Sequence, residues 1–270
     1  MQYDHASWGG EQASPPLPKP FTLVQHNCLS SWDVFLSLFW SFTQLVQPPS
    51  IVPLQDPPAY RGKLPAFRLF ASFSAPTTRG CKPRVAFYLY SSFLATVSLL
   101  PQFFGRGDAL ALDLFTLDGF FNPSTTRFWI INSYSTKGRS NNSRSVPAEV
   151  VFPRSDTLTL TLGDVNIHHP TSDPLWVFKE DEIATPAPYF DRATELGFSL
   201  LNTPGVFTRF SMSLIGRPGV IDLAFACPLL APYLSEWSDL LPSTGSDHIP
   251  ILLHFEAPLF RPPPRPSIGP

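Results

Sequence analysis

Polar side chains interrupt the apolar runs of this chain at their ends, and their types suit one kind of chemistry. Asn27 closes FTLVQHN, Asp56 follows SIVPLQ, and Tyr134 ends RFWIINSY. Asp164 and Asn166 fall in TLTLTLGDVNI, Asp222 lies within VIDLAFA, and Asp247 and His248 precede IPILLHF. Strand-end positions on a rigid scaffold are where sites are usually built. Carboxylates ending separate strands, with an amide nearby and no Cys or His pairing, are hard oxygen donors that suit Mg2+, with Mn2+ as the alternative. Asp56, Asp164 and Asp247 are the candidates. Magnesium is commonly held by one or two carboxylates together with substrate phosphate, which points to a phosphate ester as substrate. His248, beside an acid at the mouth of a strand, is the candidate for proton transfer, with Asp222 to orient it.

The elements that position these residues are mostly strands. Short apolar or alternating runs are expected at 21–27, 50–57, 84–90, 109–117, 127–135 and 157–167. FSLLN, VFTRF, VIDLAFA and IPILLHF read as further strands. Residues 30–46 are expected as a helix, capped by Ser30 or Ser31 and stopped by Pro48 and Pro49. APYFDRATELG (187–197) reads as a second helix, closed by Gly197. Asp118-Gly119 after ALALDLFTL is a hairpin signal, and 136–149 is a polar loop. About ten strands with few helices exceed what a doubly wound sheet of this length uses, so two packed sheets with helices outside are expected.

Composition bounds the rest. The 270 residues are 43% hydrophobic and 14% aromatic, which supports a large core. The formal net charge of -2 advertises no broad basic surface. Cys28, Cys81 and Cys227 form no CxxC and no disulfide framework, fitting a reducing compartment. No signal peptide is expected in residues 1–20, and the oily run VFLSLFWSF is too short to span a bilayer, so no membrane is expected. Residues 1–20 and 256–270 read as a flexible tail and a Pro-rich tail or linker around one domain at 21–255.

The order QHN, LQDPP, NSYS, GDVNIHH, TRF, RPGVIDLAF and GSDHIPI resembles the endonuclease/exonuclease/phosphatase superfamily, whose fold is that of DNase I. QHNCLSSWDVFLSLF, PSIVPLQDPP, APYFDRATELGFSLLNTPGVFTRF and LPSTGSDHIPILL are most similar to the endonuclease domain of fungal non-LTR (LINE-like) retrotransposon reverse transcriptases. The resemblance covers about 21–255 and implies an α/β (α+β) fold. Two packed, mainly antiparallel sheets would be flanked by helices in a four-layer DNase I-like sandwich.

The resemblance also implies roles. Asn27 and Asp56 match metal-site positions, although most of the superfamily has Glu where Asp56 stands. Tyr134 matches a Tyr that touches the scissile phosphate. Asp164 and Asn166 match the pair that handles the attacking water and the transition state. Thr208 matches a Thr along the substrate groove, with Arg209 placed to meet a phosphate. Asp222 matches the acid that orients the histidine, Asp247 and His248 the terminal pair, and Ser246 an orienting hydroxyl. The implied activity is Mg2+-assisted hydrolysis of double-stranded DNA by a monomer, either Asp164 or His248 being the base. It would act inside the cell, in the nucleus if the target is chromosomal. A nick would leave a 3′-hydroxyl able to prime reverse transcription by a polymerase that residues 1–270 do not contain.

Two other readings stand beside this one: a phosphatase or phosphodiesterase of the same superfamily, and a catalytically dead retroelement remnant. His168 and His169 read as a brace for the loop after GDVN, and Trp176 as packing over that loop. Lys137, Arg139, Arg144 and Arg154 are candidates for phosphate contacts or for a solvated loop.

Overall fold

Alternating side chains along two sets of strands produce two sheets that share one apolar interior. The computed structural model describes residues 21–74, 82–93, 95–103, 108–116, 127–135, 146–154, 157–176, 187–211, 217–240 and 244–256. In chain order the elements are β1 (Phe21–Asn27), α1 (Trp32–Thr43), β2 (Ile51–Gln55), β3 (Phe70–Phe73), β4 (Val85–Tyr90), β5 (Ala95–Leu99), β6 (Ala109–Thr116) and β7 (Arg127–Tyr134). There follow α2 (Ala148–Val151), β8 (Leu158–Asp164), α3 (Ala187–Glu195), β9 (Ser199–Leu200), β10 (Asp222–Ala226), β11 (Leu234–Asp239) and β12 (Ile251–Phe255). One sheet runs β11-β12-β1-β2-β4-β3 and the other β5-β6-β7-β8-β10-β9. Only β1/β2 and β7/β8 pair in parallel; the other neighbours are antiparallel.

The layers follow from which face each residue takes. Leu23, Ile51, Phe87 and Leu253 of the first sheet meet Leu112, Ile130, Leu160 and Ala224 of the second. Val24, Val52, Leu54 and Tyr88 point the other way and receive Phe35, Leu38 and Phe39 of α1. Ala111, Ile131 and Phe225 on the outside of the second sheet are covered by Val151, Phe152, Phe190 and Ala193 from α2, its end and α3. The order is therefore helix, sheet, sheet, helix, the sandwich expected from the sequence. Among the described residues no helix is long and apolar enough to cross a membrane.

Helix α1 begins where expected, with the Ser31 hydroxyl accepting a hydrogen bond from the Val34 amide at 3.3 Å. The differences from expectation lie at sheet edges. Strands β3, β5 and β11 carry no long apolar run, because an edge strand buries one flank at most. FSLLN yields only the two-residue β9, and VFTRF forms no strand, only isolated bridges from Arg209 to Gly219 and His248. The tails 1–20 and 257–270, the Asp118-Gly119 turn and Lys137, Arg139 and Arg144 lie outside the described residues.

The inner faces change character at one end. Gln25 and Asn27 on β1, Gln55 on β2, Asn132 on β7, Asp164 on β8 and Asp222 on β10 are all buried there. Gln55 Nε2 donates to Asn132 Oδ1 at 2.6 Å across the sheets, and Asn132 Nδ2 donates to the Leu54 and Ala86 carbonyls, each at 3.0 Å. Such bridges replace apolar contact because a buried polar group without a partner costs about 1–3 kcal/mol.

Gly163 allows β8 to reach this end. Its φ is +154°, and a Cβ there would lie 2.0 Å from the Ser133 carbonyl oxygen on β7. Gly163→Ala is expected to lower stability to urea by about 3 kcal/mol or more. Gly205→Ala, whose Cβ meets nothing closer than 3.8 Å, should cost about 1 kcal/mol. Equal effects would contradict the close approach.

Candidate active site

The polar ends of both sheets meet at one place. Asn27 at the end of β1 and His248 just before β12 come from the first sheet; Tyr134, Asp164 and Asp222 come from neighbouring strands of the second, in the register Tyr134–Asp164–Asp222. Asn27 Nδ2 donates to Asp164 Oδ2 at 2.7 Å, and His248 Nδ1 lies 2.8 Å from Asp222 Oδ2. His248 Nε2 is 3.9 Å from Asp164 Oδ2 and 3.7 Å from Asp247 Oδ1. Asn27 and Asp164 are each 1% exposed, Asp222 2%, His248 5% and Asp247 7%.

Local chemistry fixes each of these groups. Asn166 takes a left-handed backbone (φ 53°), a conformation its short amide tolerates. Its N–H donates to Asp164 Oδ1 at 3.1 Å, and its Nδ2 donates to the Ser135 carbonyl at 2.6 Å. Ser246 Oγ donates to the Asn27 carbonyl and accepts from the His248 amide, both at 3.0 Å. Arg209 Nε donates to Asp247 Oδ2 at 2.8 Å. Thr208, expected along a substrate groove, is buried, and its hydroxyl accepts the Ile221 and Asp222 amides at 3.0 Å. It sets the start of β10 instead of facing outward. The His168 ring stacks on Trp176 with centroids 3.7 Å apart, and Asp173 Oδ2 lies 3.2 Å from both His168 Nδ1 and the Val220 amide. His169 stacks on Phe190, and Arg154 pairs with Glu195 at 2.6 Å.

Asp56 is held by a different set of partners. Its backbone is left-handed (φ 44°). Its Oδ1 is 2.9 Å from Lys82 Nζ and 3.3 Å from Arg84 Nε, and its Oδ2 accepts from Ser30 Oγ at 2.6 Å. The Arg84 guanidinium lies over the Tyr134 ring, 4.5 Å from its centroid.

These contacts raise the proton affinities of the two central groups together. Burial opposes a charge on His248, but the charge and hydrogen bond of Asp222, then Asp164 and Asp247, outweigh it and raise its pKa to about 9. Burial, followed by the Asp222 charge, pushes Asp164 up to about 7 against the pull of His248, Asn27 and Asn166. Burial and the charge on His248 push His26 down to about 3; its Nε2 sits 2.8 Å from Thr244 Oγ1. The Tyr134 phenol is raised by burial and by Asp56 and Asp164.

The donor set fits a divalent cation on one side of the site only. Asp164, Asp222 and His248 each offer a ligand atom within 4.8 Å of the others. Asp222 Oδ1, Asp247 Oδ1 and Asp56 Oδ1 are all buried with no hydrogen-bond partner. Of the three, Asp56 Oδ1 already faces Lys82 Nζ and Arg84 Nε as an ion pair. Both ends of Asn27 are engaged, Oδ1 accepting from the Leu29 amide at 2.9 Å and Nδ2 donating to Asp164. Asp56, where the sequence predicts a metal ligand, already faces two cations and a hydroxyl.

Sequence reasoning missed Lys82, Arg84 and the Gln55–Asn132 bridge. The bridge had a signal, because both side chains fall on the inner-face phase of their strands. The partners of Asp56 had little, since Lys82 lies in an irregular stretch between β3 and β4.

No protein-family model matches the chain, and no curated relative does. Solved structures do match. The endonuclease domain of TRAS1, a telomere-specific non-LTR retrotransposon, aligns with TM-score 0.65 at 15% identity over 88% of this chain and 98% of that one. The AP endonuclease LMAP from Leishmania major gives 0.65 at 14% identity over 89% of each chain. The 3'-5' exonuclease NExo from Neisseria meningitidis gives 0.61 at 18% identity over 87% of this chain and 100% of that one. The fold is thus the one that these nuclease structures share.

A raised His248 pKa stabilises the folded protein below the ordinary histidine value of about 6.5 and ceases to do so as pH rises through about 9. The raised Asp164 pKa adds a loss of the same sign between its ordinary value of 3.8 and about 7. Stability to urea should fall by up to about 3 kcal/mol between pH 6.5 and 9. In Asp222→Asn that fall should shrink and move to lower pH. Identical profiles for the two proteins would contradict the pairing.

Proposed function

We propose that this chain, which has the DNase I-like fold, is a metal-dependent phosphodiester hydrolase that nicks double-stranded DNA. The observation that carries the reading is the buried Asp164–His248–Asp222 cluster, in which burial raises the proton affinity of Asp164 and the surrounding carboxylates raise that of His248. A base near pH 7 and a cation that keeps its proton are the two parts a hydrolysis at neutral pH requires. Asp164, held by Asn27 and Asn166, takes the proton of the attacking water. His248, kept charged and oriented by Asp222, donates to a phosphoryl oxygen as negative charge builds on it. Asn166 and Tyr134 flank the phosphate, and Arg209 neutralises Asp247 beside it.

Asp247, whose buried Oδ1 has no hydrogen-bond partner, is the group that would hold a divalent ion, Mg2+ or Mn2+, together with waters and the substrate phosphate. Such an ion, when bound, polarises a non-bridging phosphate oxygen and offsets charge on the leaving oxygen. The proposal extends to a chromosomal target in the nucleus and to a nick whose 3′-hydroxyl primes reverse transcription; the matched TRAS1 domain is an endonuclease domain of a telomere-specific non-LTR retrotransposon.

A plasmid-relaxation assay tests the reading. The protein should nick supercoiled DNA with Mg2+ and stop with EDTA. Asp164→Asn and His248→Gln, shown folded by circular dichroism, should each lose about a hundredfold or more. Absence of nicking by the folded protein with either Mg2+ or Mn2+ would overturn the proposal. Phosphate release from inositol phosphates without nicking would assign the site to small phosphoesters instead.

A further inference from the structure

We infer that Asp56 is the counter-ion of a built-in pair of cations, Lys82 and Arg84, which anchor a DNA phosphate beside Tyr134, and that it does not ligate the metal. This assignment rests on the phosphodiesterase reading above and adds a phosphate-binding subsite to it.

The geometry of Asp56 leaves little for an ion. Oδ1 faces Lys82 Nζ at 2.9 Å and Arg84 Nε at 3.3 Å. Oδ2 accepts the Ser30 hydroxyl at 2.6 Å, and Ser30 is also a partner of Lys82. Oδ1 accepts no hydrogen bond from either cation, so both contacts are ionic. A divalent ion would have to displace a guanidinium and an ammonium that already neutralise the carboxylate, and a nearby double charge would repel both. The backbone locks this arrangement. The Ser30 amide donates to the Asp56 carbonyl at 2.7 Å, and the Asp56 amide donates to the Arg84 carbonyl at 2.7 Å. Leu29, Ser30 and Asp56 all have positive φ, at 51°, 58° and 44°. Non-glycine residues in that region cost of order 1–3 kcal/mol each, and such strain concentrates at functional sites.

Charge points to the ligand. One carboxylate serves two cations, so the group carries a net positive charge. The side chains of Lys82 and Arg84 are 33% and 35% exposed, whereas that of Asp56 is 14% exposed. The acid is behind and the cations are in front. Arg84 lies over the Tyr134 ring, and Tyr134 is the β7 register partner of Asp164, so the cations flank the cluster that performs the chemistry. Arg209, tethered to Asp247, supplies positive charge from the β12 side. A phosphodiester oxygen is the anion such a guanidinium–ammonium pair recognises.

Two measurements test this without relying on turnover. Mn2+ binding is followed by electron paramagnetic resonance in the unsubstituted protein, Asp56→Asn and Asp247→Asn; Asn tolerates the left-handed backbone at 56. Asp56→Asn should bind Mn2+ within about threefold of the unsubstituted protein, and Asp247→Asn should bind about tenfold or more weakly. A tenfold loss in Asp56→Asn would overturn the inference. Binding of a duplex oligonucleotide is then followed by fluorescence anisotropy in EDTA. Lys82→Met and Arg84→Met should each weaken it by about three- to tenfold and lower the salt slope by about one, and Lys82→Arg should restore it. Unchanged binding in both Met variants would also overturn the inference. The Mn2+ arm contains no DNA, so a folded protein that fails to nick plasmid removes the endonuclease reading while that arm alone decides the role of Asp56.

Discussion

At one end of the sandwich the two sheets are held together by hydrogen bonds between buried polar side chains, and the site is the consequence. Asn27 reaches Asp164, His248 reaches Asp222, and Gln55 reaches Asn132, each pair spanning the sheets. Elsewhere the same strands meet through Leu, Ile and Phe. Apolar residues of similar volume would often hold two sheets equally well or better. The polar end therefore gives a placement of charge that packing alone cannot supply. Asp164, Asp222 and Asp247 surround one histidine that none of them could keep protonated so firmly from a solvated loop.

The supporting contacts serve that placement. Thr208 and Asn202 fix the start of β10: the Thr208 hydroxyl accepts the Asp222 amide, Asn202 Nδ2 donates to the Asp222 carbonyl at 2.9 Å, and Asn202 Oδ1 accepts the Ala224 amide at 2.8 Å. Ser246 links the His248 amide to the end of β1. Gly163 lets β8 lie against β7, so that Asp164 and Tyr134 face the same interior. Residues expected to touch substrate thus include some, such as Thr208, that act by holding others. Positioning of this kind lets a charged cluster act without reorganising during reaction.

Much of this was legible in the sequence, for a physical reason. A strand that starts apolar and ends polar on the same face must bury the polar end against something, and FTLVQHN, RFWIINSY and TLTLTLGD all do so. The order of those ends then carried the family resemblance and the sandwich. Edge strands such as LSEWSD were not legible, because pairing with β12 and not an apolar period defines them. The partners of Asp56 were hidden for a different reason. Lys82 and Arg84 are 26 and 28 positions away, and only the β2/β4 pairing, with Gln55 opposite Val85, brings them to it.

The account is tested most directly at the His248 ring. Long-range proton–nitrogen NMR of the imidazole, recorded from pH 5 to 10, reports the protonation of both ring nitrogens. The account requires a cationic ring at neutral pH that loses its proton near 9. A neutral ring titrating at or below the ordinary histidine value, unaffected by Asp222→Asn, would contradict it.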